Sequence, residues 1–247
     1  MNSCKFYTSG FTPALSYAVN FLKERNFTIL SQPEKATHLL LPVPSFEPDG
    51  RIKGGGALAE LLTDLPADIT IFGGNLDRPE FAGYRTVDFL KDPLYLAQNA
   101  NITAHCAVKL AMAKLPVTLQ NCPSLIIGWG RIGKCLAQLL RQLGADVTVA
   151  ARKETDRATL SSLGYGVADT GHLETAPFRV IFNTVPAIVS ADCPGKALKI
   201  DLASSLGLGS PDVIWARGLP NKDAPESSGE LIARTAIRIA TGKETVT

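Results

Sequence analysis

The chain has 247 residues, 45% of them hydrophobic and 19% charged, enough to bury a real core and too apolar for a disordered polymer. Its 25 Lys and Arg against 23 Asp and Glu leave a net charge of +2 with no basic stripe, so no nucleic-acid partner is expected. No apolar run approaches the roughly 18 residues of a membrane span, and Met1 to Gly10 lacks the charged and apolar regions of a signal peptide, so a cytoplasmic protein without a membrane partner is expected.

Short apolar runs alternate with segments of helical period, the pattern of a parallel α/β sheet. In chain order the pattern predicts a strand at Lys5–Thr8, a helix near Pro13–Arg25 with Leu15, Val19 and Leu22 on one face, and strands near Phe27–Leu30 and His38–Pro42. Pro42, Pro44 and Pro48 mark a loop, Leu58–Leu65 a short helix, and further strands fall near Ile69–Phe72 and Arg85–Asp88. Leu94 to Leu115 has no internal Gly or Pro and is ended by Pro116, which suits a helix connecting two lobes. The alternation then restarts: strand Ser124–Ile127, helix Ile132–Leu143, strand Asp146–Ala150, helix Thr155–Leu163, and strands Val180–Asn183, Ala197–Asp201 and Val213–Trp215. A last helix, Ala224–Ala240, opens with Pro225 and the early acid Glu226. The five cysteines, Cys4, Cys106, Cys122, Cys135 and Cys193, are odd in number and widely spaced, so buried thiols are expected, with no disulfide framework and no metal site.

Gly128-Trp129-Gly130-Arg131-Ile132-Gly133 places G-x-G-x-x-G directly after an apolar strand and at the mouth of an amphipathic helix. Gly128 permits the tight turn, Gly130 lets a pyrophosphate approach the backbone, and Gly133 lets helix pack on strand, while the helix N-terminus attracts the anion. Gly144-Ala145-Asp146 to Ala150 closes the βαβ unit about 20 residues on. An NAD site ends its second strand in Asp or Glu, which bonds the ribose 2′-hydroxyl. This strand ends Ala150-Ala151-Arg152-Lys153, and its cations suit the 2′-phosphate of NADP. Polar groups follow three other strands: Asn183-Thr184-Val185-Pro186, Asp201-Leu202-Ala203-Ser204-Ser205 and Arg217-Gly218. The fold class expected is thus α/β, a Rossmann-like doubly wound parallel sheet with a smaller N-terminal α/β lobe. The expected divisions are 1–98 for that lobe, 99–115 for the connecting helix, 116–220 for the NADP-binding domain and 221–247 for the C-terminal helix. Gly128, Gly130, Arg131, Ile132, Gly133, Arg152, Lys153, Asn183, Thr184, Val185, Pro186, Ala203 and Ser204 are the expected cofactor residues.

The motifs Gly128–Gly133, Ala150–Arg152, Asn183–Ala187, Ile200–Ser204, Gly218–Pro220, Ala224-Pro225 and Gly229, in that order from about Asn99 to Ala240, resemble the dipicolinate synthase A chain. The cofactor lobe is similar also to that of the D-2-hydroxyacid dehydrogenases. The first 90 residues match only in architecture. The resemblance implies NAD(P)-dependent oxidation of dihydrodipicolinate to dipicolinate in a sporulation branch of lysine biosynthesis, a dicarboxylate substrate and a flavoprotein partner. Assembly as a homo-oligomer is expected as well. The chain departs from the family in having His105 where an acid is expected, Ser205-Leu206-Gly207 where Arg and Pro-Gly-Gly are expected, and Arg217 where Pro is usual. His105 is the candidate proton carrier, histidine being the side chain suited to acid and base work near neutral pH, and Arg217 the candidate partner of a substrate carboxylate in an interlobe cleft; Arg131 and Lys109 are further cations available to it. His38 and His172 are expected to be surface residues. A non-catalytic NADP-binding sensor, or the companion polypeptide of a flavoprotein, stays open as the alternative.

Overall fold

The computed structural model describes residues 4–189 and 197–242. The chain forms two compact units. One runs to Asn99 and resumes at Pro220, and the other spans Ala100–Leu219. The C-terminal segment, expected as a division of its own, is counted with the first unit, which makes that unit no shorter than the second.

The first unit begins with β1 (Lys5–Thr8), α1 (Pro13–Glu24), β2 (Thr28–Leu30) and β3 (His38–Leu40). It continues through α2 (Leu58–Thr63), β4 (Thr70–Gly73) and β5 (Arg85–Asp88). The five strands pair in the order β2-β1-β3-β4-β5, all parallel. One face buries Leu39, Leu41, Ile69 and Ile71 against Leu58, Leu65 and Phe81. An aromatic row, Phe6, Phe72 and Phe89, is also buried, and the His38 ring stands between Phe6 and Phe72 at 5.2 and 5.1 Å. Thr12 caps α1, its hydroxyl accepting from the Leu15 N–H at 3.1 Å.

α3 (Pro93–Lys114) crosses the division between the units at Asn99. After the second unit come α6 (Leu219–Asp223) and α7 (Pro225–Thr241). α7 packs on α1 so closely that a side-chain carbon on Gly229 would strike the Ala14 carbonyl.

The second unit holds β6 (Pro123–Ile127), α4 (Arg131–Gln142), β7 (Asp146–Ala150), α5 (Glu154–Ser162) and β8 (Gly166–Ala168). It ends with β9 (Val180–Asn183), β10 (Leu198–Asp201) and β11 (Ile214–Trp215). Its strands are all parallel in the order β11-β10-β9-β6-β7-β8, so the order reverses beside β6, where doubly wound sheets bind ligands. Leu125, Ile127, Ala150, Ile181 and Leu208 fill one side of the core. On α4, Gly133, Leu136, Ala137 and Leu140 are buried at the spacing of one helix face.

The predicted elements recur with ends shifted by a few residues. β8 and α6 were not foreseen: Gly-Val-Ala is too short and weakly apolar to stand out, and Leu219-Pro220 reads as a turn. Cys4, Cys106 and Cys122 are buried and Cys135 is half-buried, while Cys193 lies outside the described residues. Among the described residues, no helix is long and apolar enough to cross a membrane.

Candidate functional site

Parallel pairing aligns the carboxyl ends of five strands in one row. Ile127 sits level with Ala150 on one side and Asn183 on the other, Asn183 with Asp201, and Asp201 with Trp215. The loops that leave this row build the site.

The glycine-rich turn has the geometry its spacing predicts. Gly128 has φ of 107°, a left-handed conformation, and a side-chain carbon there would lie 2.5 Å from Thr184 Oγ1 and 2.8 Å from Val185 Cγ2. At Gly133 an added carbon would collide with the Gly128 carbonyl, so only glycine lets α4 begin this close to β6. Gly130 differs: nothing lies within 4 Å of where its Cβ would be, so the chain is open there to an incoming group. Gly130 is also the cap of α4, which has no side-chain acceptor for its first amides, in contrast to Thr12 on α1. An uncapped helix N-terminus beside an open backbone is the arrangement that receives a phosphate. The residues therefore fit a dinucleotide pyrophosphate.

The turn borders a cleft of about 560 Å3. It is lined from four stretches of chain: Ile127 to Trp129, Ala151 to Lys153 with Asp156, Thr170 with Gly171, and Val185 with Ala187 to Val189. Trp129 meets the Tyr165 ring edge-on at 6.0 Å, and the Lys134 ammonium lies 5.7 Å from its ring centre. Arg152 and Lys153 are exposed at the cleft, and the half-buried Asp156 is a third charged residue of its lining.

Of the expected cofactor residues, Gly128, Arg152, Lys153 and Val185 line the cleft. Gly130, Arg131, Ile132 and Gly133 form the turn and the first residues of α4, with Arg131 exposed and Ile132 half-buried. Thr184 pins its loop to β6: both its N–H and its hydroxyl donate to the Ile127 carbonyl at 2.9 Å. Pro186 and Ser204 are exposed, and Ala203 is buried.

Asn183 is fully buried and directed into the protein. Its Nδ2 donates to the Asp201 carboxylate at 2.9 Å and to the Val185 carbonyl at 3.1 Å, and its Oδ1 accepts from the Val185 N–H. Asp201, also fully buried, accepts in addition from the N–H groups of Ala203, Gly207 and Leu208 at 2.9, 2.8 and 3.1 Å. This satisfied buried carboxylate holds the loops after β9 and β10 in fixed relation. The two polar strand ends shape the rim through each other.

His105 is exposed on α3, and Arg217 is exposed after β11 with its guanidinium 5.2 Å from the Trp215 ring centre. Neither lines the cleft. Of the other histidines, His172 is exposed and His38 is half-buried among aromatic rings. Sequence reasoning missed Ile127, Trp129, Ala151, Asp156, Thr170, Gly171 and Ala187 to Val189 as lining. Thr170 and Gly171 follow the unforeseen β8, and Asp156 sits a turn into a helix whose polar face carries no distinguishing signal.

No protein-family model matches the chain, and no curated protein is similar to it in sequence. Solved structures are similar in fold. The dipicolinate synthase A chain of Bacillus halodurans superposes with a TM-score of 0.84 over 97% of this chain and 98% of its own, at 18% identity. The dipicolinate synthase A chain of Bacillus subtilis gives 0.83 over 98% and 97%, at 20% identity. The protein has the fold of the dipicolinate synthase A chain. At these identities the likeness is one of fold. A transhydrogenase from Sinorhizobium meliloti shares it more distantly, with a TM-score of 0.65 and 12% identity over 97% of this chain and 94% of its own.

Proposed function

We propose that the unit Ala100–Leu219 binds NADP in this cleft and that the protein is an oxidoreductase of the dipicolinate synthase A type, acting on a dihydrodipicolinate-class dicarboxylate. The observation that carries the reading is the glycine-rich turn, open at Gly130 and uncapped, bordering a cleft whose wall presents Arg152 and Lys153. Similarity of fold over nearly the whole chain to the dipicolinate synthase A chain supports the substrate class.

In this reading the first amides of α4 hold the pyrophosphate, and Arg152 and Lys153 receive the 2′-phosphate. When bound, the nicotinamide supplies the hydride acceptor. Oxidation of the dihydropyridine ring also releases a proton, for which the exposed His105 imidazole would be the acceptor. Arg217, whose guanidinium lies 5.2 Å from the Trp215 ring centre, would offer its N–H groups to a substrate carboxylate. Assembly with a flavoprotein, and with further copies of this chain, belongs to the same proposal.

Since neither His105 nor Arg217 lines the cleft, an NADP-binding sensor or flavoprotein companion is the second reading. Following the near-ultraviolet absorbance of the reduced nicotinamide, with dihydrodipicolinate and NADP, separates the two. Turnover by the protein alone or with a flavoprotein partner supports the enzyme. Tight NADP binding with no turnover in either mixture supports the sensor.

A further inference from the structure

Arg157 is not among the residues lining the cleft, yet its Nη1 lies among three oxygens. It donates to the carbonyls of Ala151 and Arg152 at 2.9 and 2.8 Å, and it pairs with Asp169 Oδ2 at 2.9 Å. The other Asp169 oxygen accepts from the Gly171 N–H at 2.8 Å, and the Asp169 carbonyl accepts from the His172 N–H at 3.2 Å. One guanidinium on α5 therefore joins the chain leaving β7 to the chain leaving β8. Both segments line the cleft, the first through Ala151 to Lys153 and the second through Thr170 and Gly171.

The charge of Arg157 is answered by Asp169, so Arg157 is an anchor for main chain and not a spare cation. The charges lining the cleft are the exposed Arg152 and Lys153 and the half-buried carboxylate of Asp156. Two cations and an anion lining one cleft favour a phosphate only if the cations are aimed at it and the carboxylate is held off. A segment ordered before the ligand arrives loses less entropy on binding than one ordered by the ligand.

We propose that Arg157 and Asp169 are positioning residues for cofactor choice: their ion pair fixes the backbone bearing Arg152 and Lys153 so that the cleft prefers a dinucleotide phosphorylated on its adenosine ribose. The inference rests on the reading of the cleft as a dinucleotide site. Its test is calorimetric titration of NADP and NAD into the full chain and into Arg157→Met, Arg157→Lys and Asp169→Asn, with thermal unfolding of each. The ratio of the two dissociation constants falls about tenfold in Arg157→Met and Asp169→Asn, the loss expected when a charge-assisted contact to phosphate is misaligned. Arg157→Lys, which keeps the charge and donors, recovers part of the ratio. Asp169→Asn keeps an acceptor for Gly171 and so keeps the turn, which makes it the variant to rely on if Arg157→Met unfolds.

If Arg157 were itself a phosphate ligand, releasing it from Asp169 would raise NADP affinity, and that result overturns the proposal. An unchanged ratio in both variants, or a wild type without preference for NADP, overturns it while leaving a dinucleotide site in place. A wild type that binds neither dinucleotide removes the site and the proposal together.

Discussion

Gly130 and Gly133 stand three residues apart in one turn, and the structure assigns them different work. Nothing lies within 4 Å of a carbon added at Gly130, whose φ of −84° and ψ of −167° suit any residue. Gly130→Ala is therefore expected to leave stability within about 0.5 kcal/mol of wild type. The added methyl instead occupies the space through which a pyrophosphate reaches the amides of α4. Losing one or two hydrogen bonds to a charged group costs about 1.5–3 kcal/mol, a 10- to 100-fold rise in Kd. At Gly133 the carbon meets the Gly128 carbonyl, so α4 must shift, and overpacking of this kind costs about 1–3 kcal/mol of stability along with the affinity. Thermal and urea unfolding measure the first quantity, and calorimetric titration with NADP measures the second. Gly130→Ala binding NADP and NAD as tightly as wild type would refute the reasoning, because the open face at Gly130 would then meet no ligand.

Arg152→Ala is expected to weaken NADP about 10- to 100-fold in calorimetric titrations while changing NAD little, and equal losses for both dinucleotides would count against a 2′-phosphate contact. His38 is held below its ordinary pKa by burial first and by the positive charge of Arg85 second. The unfolded chain therefore takes up a proton there before the folded one does, so stability should fall as pH drops below about 6.5. The difference in urea midpoint between wild type and His38→Phe should change across that range, and a constant difference would remove His38 as the cause. Asp201→Asn turns an amide toward the donors that the carboxylate satisfied and should cost about 3 kcal/mol in urea unfolding, a loss below 1 kcal/mol being incompatible with the network described.

What the amino-acid order determines alone is whatever acts over a few residues. The alternation of apolar runs with helical periods decides two parallel α/β sheets. The turn at Gly128–Gly133 is legible because its requirements are local: a left-handed φ at one position and no Cβ at another. Arg152 and Lys153 are legible because they follow directly on β7 and line the cleft beside it.

Tertiary structure decides what depends on distant partners. Asn183 and Asp201 both read as polar strand ends, but lateral pairing of β9 with β10 sets them side by side and commits their side chains to each other and to the rim loops. Arg157 looks like one more helix cation until the end of β8 brings Asp169 to it. α7 closes the chain in sequence yet belongs with α1, because the small face around Gly229 fits that helix. A side chain at the end of a strand, or on the surface of a helix, takes its role from neighbours a dozen or more residues away, and local propensity carries no record of them.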